Sequence, residues 1–381
     1  MPQTLVLNFG EVYTPFHRLK EASIYVEGGV VKKIKPYWAE NAENYKEYIA
    51  APAYVDTHTH GCCGIDVNTA KDRDLVKLAR ELTRFGVGAF VPTTVTAPHE
   101  ELLRMCEIVG SLETSGGEGA EILGLHLEGP YINPEKRGAQ NPEFIRKPSV
   151  AEFEEYYRAS KGKLLIVDVA PELEGSSELI REARLRGVHV GMGHTNATYE
   201  EAVRAIALGC DRAVHIFNGM RVFHHREPGV VLAALESPQV YIEIIADFIH
   251  LHPATVRFVT NFAGWHRVML VTDSISASML PDGVYNLGGL KVIVEKGVAR
   301  LENGSLAGST LTMDRAVRNI YSLVGDLGAA LAMASYIPAR SVDKNSYGCL
   351  APGCAANIVV LNRDLGVEAT FVRGEKIFSR R

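Results

Sequence analysis

Ile49-Ala-Ala-Pro-Ala-Tyr-Val55 runs directly into Asp56-Thr-His-Thr-His60, so an apolar run ends in two histidines spaced two apart. Side chains on an extended segment alternate faces, so His58 and His60 project to the same side. Imidazole ligates Zn, Fe or Ni, and two rings on one face are half a metal site.

The same arrangement recurs down the chain. Apolar, strand-like runs fall at 53–57, 88–94, 122–127, 164–169, 188–193, 212–216, 241–246 and 268–272. Amphipathic runs at 72–85, 100–112, 177–186 and 199–208 carry apolar residues at helical spacing. Eight β-α units in this order predict a (β/α)8 (TIM) barrel. Polar residues cluster where the runs end: His58 and His60, Glu128, His194, His215, Asp247 with His250, and Asp273. Barrel enzymes build their sites at the C-terminal ends of the strands, so these residues are expected to converge on one mouth. Four histidines, Glu128 and Asp273 together predict a site for one or two divalent ions. A single histidine near a strand end is more often a hydrogen-bonded structural residue. Six metal-type ligands in barrel order are not explained that way. His126 shares parity with Glu128 one layer deeper and reads as barrel filling or support beneath the site.

The two ends of the chain carry short alternating runs, with Gly28-Gly29 and Arg373-Gly374 as turns. Neither end has enough core alone. Residues 1–51 and 345–381 are therefore expected to pair into one small β-sandwich, leaving 52–344 for the barrel. Glycines between 281 and 305 punctuate a hairpin insertion ahead of a last helix at 310–324.

The composition excludes other classes. The chain has 381 residues, is 46% hydrophobic and carries a net charge of -5 with no basic stripe, which argues against nucleic acid as a partner. No apolar run is long enough for a transmembrane helix, and the first residues, Met-Pro-Gln-Thr-Leu-Val, lack the pattern of a signal peptide. The 6 cysteines form no Cys-x-x-Cys pair and are expected to be reduced thiols of a cytoplasmic protein. Cys62 and Cys63 flank the His pair, but small apolar packing is the commoner use of free cysteine.

The motifs Asp56-Thr-His-Thr-His-Gly61, His126-Leu-Glu-Gly-Pro130, Gly193-His-Thr-Asn-Ala197, His215-Ile-Phe-Asn-Gly-Met220, His224-His-Arg-Glu-Pro-Gly229, Ile245-Ala-Asp-Phe-Ile-His250, Thr272-Asp-Ser274 and Leu306-Ala-Gly-Ser309 carry a resemblance over nearly the whole chain. The chain resembles the amidohydrolase superfamily and, within it, the N-acetylglucosamine-6-phosphate deacetylase family. Many superfamily members bridge two metals with a carboxylated lysine on the fourth strand. Here that strand reads Leu165-Ile-Val-Asp-Val-Ala-Pro-Glu172 and has no lysine, so Glu128 must supply the carboxylate.

The resemblance implies hydrolysis of the acetamide of N-acetylglucosamine 6-phosphate with a divalent metal such as Zn, Fe, Co or Ni. Glu128, His194 and His215 would hold the main ion; His58 and His60, with Glu128 and Asp273, a second. Asp273 would act as base and then acid, and His250 or the metal would polarise the carbonyl. Implied substrate contacts are Ala139, Asn218, Gly219, His225, Arg226, His250, Leu306, Ala307 and Gly308. Gln140 joins them, where some relatives carry a histidine that contacts the sugar. Arg226 suits phosphate oxygens by its planar fork. In the resembling family this Arg and a neighbouring His reach across a homodimer interface. Two other readings stay open: another amidohydrolase reaction, such as deacetylation of the galactosamine isomer, and a non-catalytic metal-binding barrel, which the intact Asp273 disfavours.

Overall fold

A computed structural model describes residues 4–112 and 118–380. Residues 1–3 and 381, at the ends of the expected small domain, lie outside the described residues, as does 113–117.

The eight runs form parallel strands β1 (Tyr54–Thr59), β2 (Val87–Thr94), β3 (Leu125–Tyr131), β4 (Leu164–Val169), β5 (His189–Met192), β6 (Arg212–Ala213), β7 (Tyr241–Ile245) and β8 (Val268–Val271). They pair in sequence order from β1 to β8. The seam between β8 and β1 closes through backbone just past β8: Asp273 N–H donates to the His58 carbonyl at 2.9 Å, and His60 N–H to Ser274 at 2.8 Å. β1, β2 and β3 are buried at every position, as expected of strands covered on both faces. Helices Asp72–Leu82, His99–Ser111, Val150–Ala159, Ser176–Leu185, Tyr199–Leu208, Gly229–Glu236, Pro253–Ala263 and Met313–Val324 follow the strands. Local chemistry sets their ends: Thr198 and Glu201 form a reciprocal capping box at the start of Tyr199–Leu208.

The third run differs from its expectation. Glu121–Ile122 is a separate short strand against β2, and β3 begins only at Leu125, so Glu128 lies inside β3. Gly124 marks the break, where a Cβ would sit 2.7 Å from the Lys163 carbonyl oxygen. The sixth run is also curtailed: β6 ends at Ala213, and His215 already has a left-handed backbone, φ 29°.

Both termini build one small β domain. Its sheet is a continuous path of seven strands: Glu375–Ser379, Val367–Val372, Ile358–Leu361, Glu43–Pro52, Leu5–Tyr13, Arg18–Glu27 and Val30–Lys35. The two ends of the chain meet where Ile358–Leu361 runs antiparallel to Glu43–Pro52. A separate apolar core of Leu7, Phe9, Ile24, Val360 and Phe371 holds this domain together. Strands Gly283–Leu287, Leu290–Glu295 and Val298–Leu301 form a small antiparallel sheet in the insertion.

The expectation of six reduced thiols is corrected at one place: Cys349 and Cys354 form a disulfide. They are separated by 5 residues, in the connection from the barrel to the last strands, and a turn brings their Cα atoms to 6.0 Å, within bridging range. Cys62, Cys63, Cys106 and Cys210 are free thiols. No helix among the described residues is long and apolar enough to cross a membrane.

Candidate metal centre

His58, His60, Glu128, His194, His215 and Asp273 converge at the mouth, all buried. Glu128 is the hub. Its Oε1 lies 3.0 Å from His194 Nε2, 2.9 Å from His215 Nε2 and 3.5 Å from His58 Nε2. Its Oε2 lies 3.2 Å from His60 Nε2. Asp273 Oδ1 stands 2.9 Å from His60 Nε2 and 3.7 Å from His58 Nε2. Donors bound to one ion at about 2.0–2.2 Å lie roughly 3.0–3.5 Å apart, so these separations suit ligation. Two groups have their donor atoms all within 4.8 Å of one another: His58, His60 and Asp273; and His58, Glu128 and His215.

The imidazoles are oriented from behind. His58 Nδ1–H donates to Glu243 at 3.1 Å, His60 Nδ1–H to the Thr93 carbonyl at 3.0 Å and His194 Nδ1–H to the Lys136 carbonyl at 2.9 Å. Each bond commits Nδ1 as donor and leaves the Nε2 lone pair facing the cluster, the tautomer a metal ligand needs. His215 Nδ1 has no such partner among the described residues. Gly219 lies against the back of the His194 ring: a Cβ there would sit 2.7 Å from Nδ1, and its φ of +59° favours glycine in any case.

The electrostatics call for a cation. Every ion pair of Glu128 and Asp273 among the described residues is with a histidine. Burial by itself pushes His60 down, but Glu128 and Asp273 outweigh it and lift the ring to about 10. His58 is driven the same way, by Glu128 and Glu243 against burial. Burial opposes ionisation of Glu128 and Asp273, yet the surrounding imidazoles hold both carboxyls below their ordinary values. A buried carboxylate pair thus stays ionised only with positive charge between its rings. A divalent ion supplies that charge while the rings stay neutral.

Four buried supporting residues, Glu243, Arg212, Asp168 and Asp56, are not singled out by the sequence; His126 is. Glu243, inside β7, accepts His58 Nδ1–H and pairs with Arg212 Nη1 at 3.3 Å, both fully buried. His126 Nε2 is 2.8 Å from Asp168 in the layer below, consistent with support rather than ligation. Asp56 accepts the Thr272 hydroxyl at 2.6 Å across the β1–β8 seam; burial lifts its carboxyl to about 6. The available signal was a charged residue inside an otherwise apolar strand, as in Tyr241-Ile-Glu-Ile-Ile245.

A cavity of about 310 Å³ opens above the cluster, walled by Ala139, Gln140, Asn218, Gly219, His250, Leu306 and Gly308. Leu287 and Ser305, from the insertion and its end, also line it, as do Val95 and Gly138. His250 is held by Asp247, Nδ1 to Oδ2 2.8 Å. Three expected contacts are placed differently. Ala307 packs into the apolar cluster with Ile275 and Val292, away from the cavity wall. His225 and Arg226 are exposed on the loop before Gly229–Glu236 and do not line this cavity. A larger cleft, about 750 Å³, lies where the terminal sheet meets residues 321–329; it shares no residue with the cluster.

A parallel barrel whose strand ends gather imidazoles and carboxylates around a small cavity is the architecture of a metal-assisted hydrolase. The amidohydrolase family matches residues 49–377, and the chain belongs to it. It is 39% identical to an N-acetylgalactosamine-6-phosphate deacetylase of Escherichia coli O157:H7, over 98% of this chain and 99% of the other. It is 40% identical to an N-acetylglucosamine-6-phosphate deacetylase of Vibrio furnissii, over 86% of this chain and 82% of that one. Among solved structures, the N-acetyl-D-glucosamine-6-phosphate deacetylase of Mycobacterium smegmatis, a mutant in complex with N-acetyl-D-glucosamine-6-phosphate, superposes with a TM-score of 0.94 at 32% identity, covering 99% of this chain and 100% of that one.

Proposed function

We propose that this enzyme hydrolyses the acetamide of N-acetyl-D-glucosamine 6-phosphate to D-glucosamine 6-phosphate and acetate. The observation that carries the reading is Glu128, whose Oε1 faces the Nε2 atoms of His194, His215 and His58 and whose Oε2 faces that of His60, beneath a cavity of about 310 Å³. The relatives named above act, by their names, on phosphorylated N-acetyl sugars.

In this reading Glu128, His194 and His215 would hold one divalent ion, and His58, His60 and Asp273, with Glu128, would hold a second. Such an ion, when bound, supplies Lewis acidity and a water that loses its proton near neutral pH. Asp273, its Oδ1 among the ring nitrogens, takes the water's proton and returns it to the departing amine, so one carboxylate serves both half-steps. His250, fixed by Asp247, and the Asn218–Gly219 turn line the sugar cavity. Ala139, Leu306 and Gly308 shape its wall and exclude water.

Arg226 and His225 lie outside their own subunit's cavity, which supports a homodimer in which they reach the neighbouring site and grip the phosphate. Val222 and Phe223, on the same loop, are exposed large apolar residues, as an interface would require.

A second reading rests on the E. coli relative, named for the galacto epimer and matched over 98% of this chain: the substrate is N-acetylgalactosamine 6-phosphate. The test is acetate release from both phosphorylated epimers and from N-acetylglucosamine, after chelation and again after metal add-back. Metal-dependent turnover highest on the gluco epimer is expected. A preference for the galacto epimer selects the second reading, and turnover unaffected by chelation refutes both.

A further inference from the structure

Gln140 is 3% exposed and stands in the loop between β3 and Val150–Ala159. Its side-chain amide is engaged at both ends. Oε1 accepts the Thr96 backbone N–H at 2.6 Å, and Nε2 donates to Glu128 Oε2 at 2.6 Å. A flipped amide would set its oxygen against the carboxylate and its NH2 against an N–H donor, so only one orientation is allowed. Thr96 follows β2, so one short side chain ties the end of β2 to the carboxylate on β3.

The oxygen that Gln140 holds is the one facing His60, while Oε1 faces His194, His215 and, at 3.5 Å, His58. The terminal torsion of a glutamate is soft, so an unrestrained carboxylate rotates freely enough to bring both oxygens to one ion. Held at Oε2, it keeps that oxygen toward His60 and leaves Oε1 to the other ring nitrogens. An ionised carboxylate oxygen has two lone-pair sites, so the hydrogen bond from Gln140 leaves one for an ion.

We propose that Gln140 is a positioning residue that fixes the Glu128 carboxylate as a bridge, and so determines whether the His58–His60–Asp273 group holds a second divalent ion. This rests on the two-ion reading above. It departs from a direct sugar contact, the role implied for Gln140 by resemblance.

The test is zinc binding by calorimetry to chelator-stripped wild-type protein and to the Gln140→Met and Gln140→Leu variants, with bound zinc counted by elemental analysis. Wild type is expected to bind two ions. Both variants should bind the first as wild type does, which also reports an intact fold, and the second with a dissociation constant raised about 10–100-fold, as for loss of an outer partner of a ligand. In kinetics at limiting zinc, kcat should fall more than KM rises. Unchanged affinity for both ions, or a rise in KM alone, overturns the proposal in favour of a sugar contact. Equal weakening of both ions overturns it in favour of a general structural role. A wild-type protein that binds one ion refutes the two-ion reading itself, and the proposal with it. Should one variant fail to fold, the other decides.

Discussion

Asp273 has a left-handed backbone, φ 48°, and so do His194 at 46° and His215 at 29°. Such conformations cost non-glycine residues of order 1–3 kcal/mol each and persist where the surroundings enforce them. Here the enforcement is visible: Asp273 N–H and carbonyl are bonded to His58 and Ser309, which turns its side chain back over the mouth. Asp273→Asn keeps the shape and removes the base, so kcat should fall about 10²–10⁴-fold with a smaller change in KM. Steady-state kinetics on the phosphorylated sugar checks this; a loss confined to KM would make Asp273 a binding group. Glu243 acts one bond further out. Glu243→Gln removes the charge that fixes the His58 tautomer and faces the buried Arg212. Metal affinity should fall roughly 10–100-fold. Thermal unfolding of the metal-free protein should also drop, because a buried guanidinium loses its counter-charge. Metal affinity equal to wild type would show that His58 needs no support from Glu243.

Strands and the residues at their ends were the legible elements, because burial on both faces writes a continuous apolar run that ends abruptly in polar ligands. Leu164–Val169 and Tyr199–Leu208 fall where periodicity places them. What stayed hidden was pairwise: that Glu243 meets His58 across 185 positions, or that Gln140 meets Glu128, depends on barrel closure and loop path. The Cys349–Cys354 bridge was hidden likewise, since spacing alone does not report a turn. The terminal sheet offers its own test. Burial raises the Glu11 carboxyl, but the guanidinium groups of Arg18, at 2.9 Å, and Arg363, at 2.6 Å, more than offset this and hold it below its ordinary value. A depressed carboxyl contributes stability above its unfolded value, near 4.5, and loses it as pH falls through the folded one. Arg18 and Arg363 are half or more exposed, so the pair contributes about 1 kcal/mol at most. Glu11→Gln should therefore unfold slightly earlier than wild type at pH 7, and the gap should close as pH falls below about 4. A gap that persists in acid would assign the effect to packing instead.

The whole molecule raises the question of which subunit completes which site. The barrel supplies the cluster, and the insertion supplies part of the cavity wall, yet no arginine among the described residues lines that cavity. A phosphorylated sugar needs a cation at its far end, and Arg226, exposed and not among the residues lining its own chain's cavity, is the candidate. Charge-assisted hydrogen bonds contribute about 1.5–3 kcal/mol each, so Arg226→Ala should raise KM for the phosphorylated sugar by roughly one to two decades. Turnover of the unphosphorylated sugar should barely change. Mixing then separates composite sites from self-contained ones. In a dimer of one Asp273→Asn subunit and one Arg226→Ala subunit, the second subunit keeps Asp273 and borrows an intact Arg226 from the first. That site is whole; the other carries both defects. Random reassociation of equal amounts makes half the dimers mixed, so activity at low substrate should recover to about a quarter of wild type. The measurement is acetate release before and after the two variants are dissociated and reassembled together. Activity no higher than the average of the two parents would place Arg226 at its own subunit's site, or show that the chain works alone.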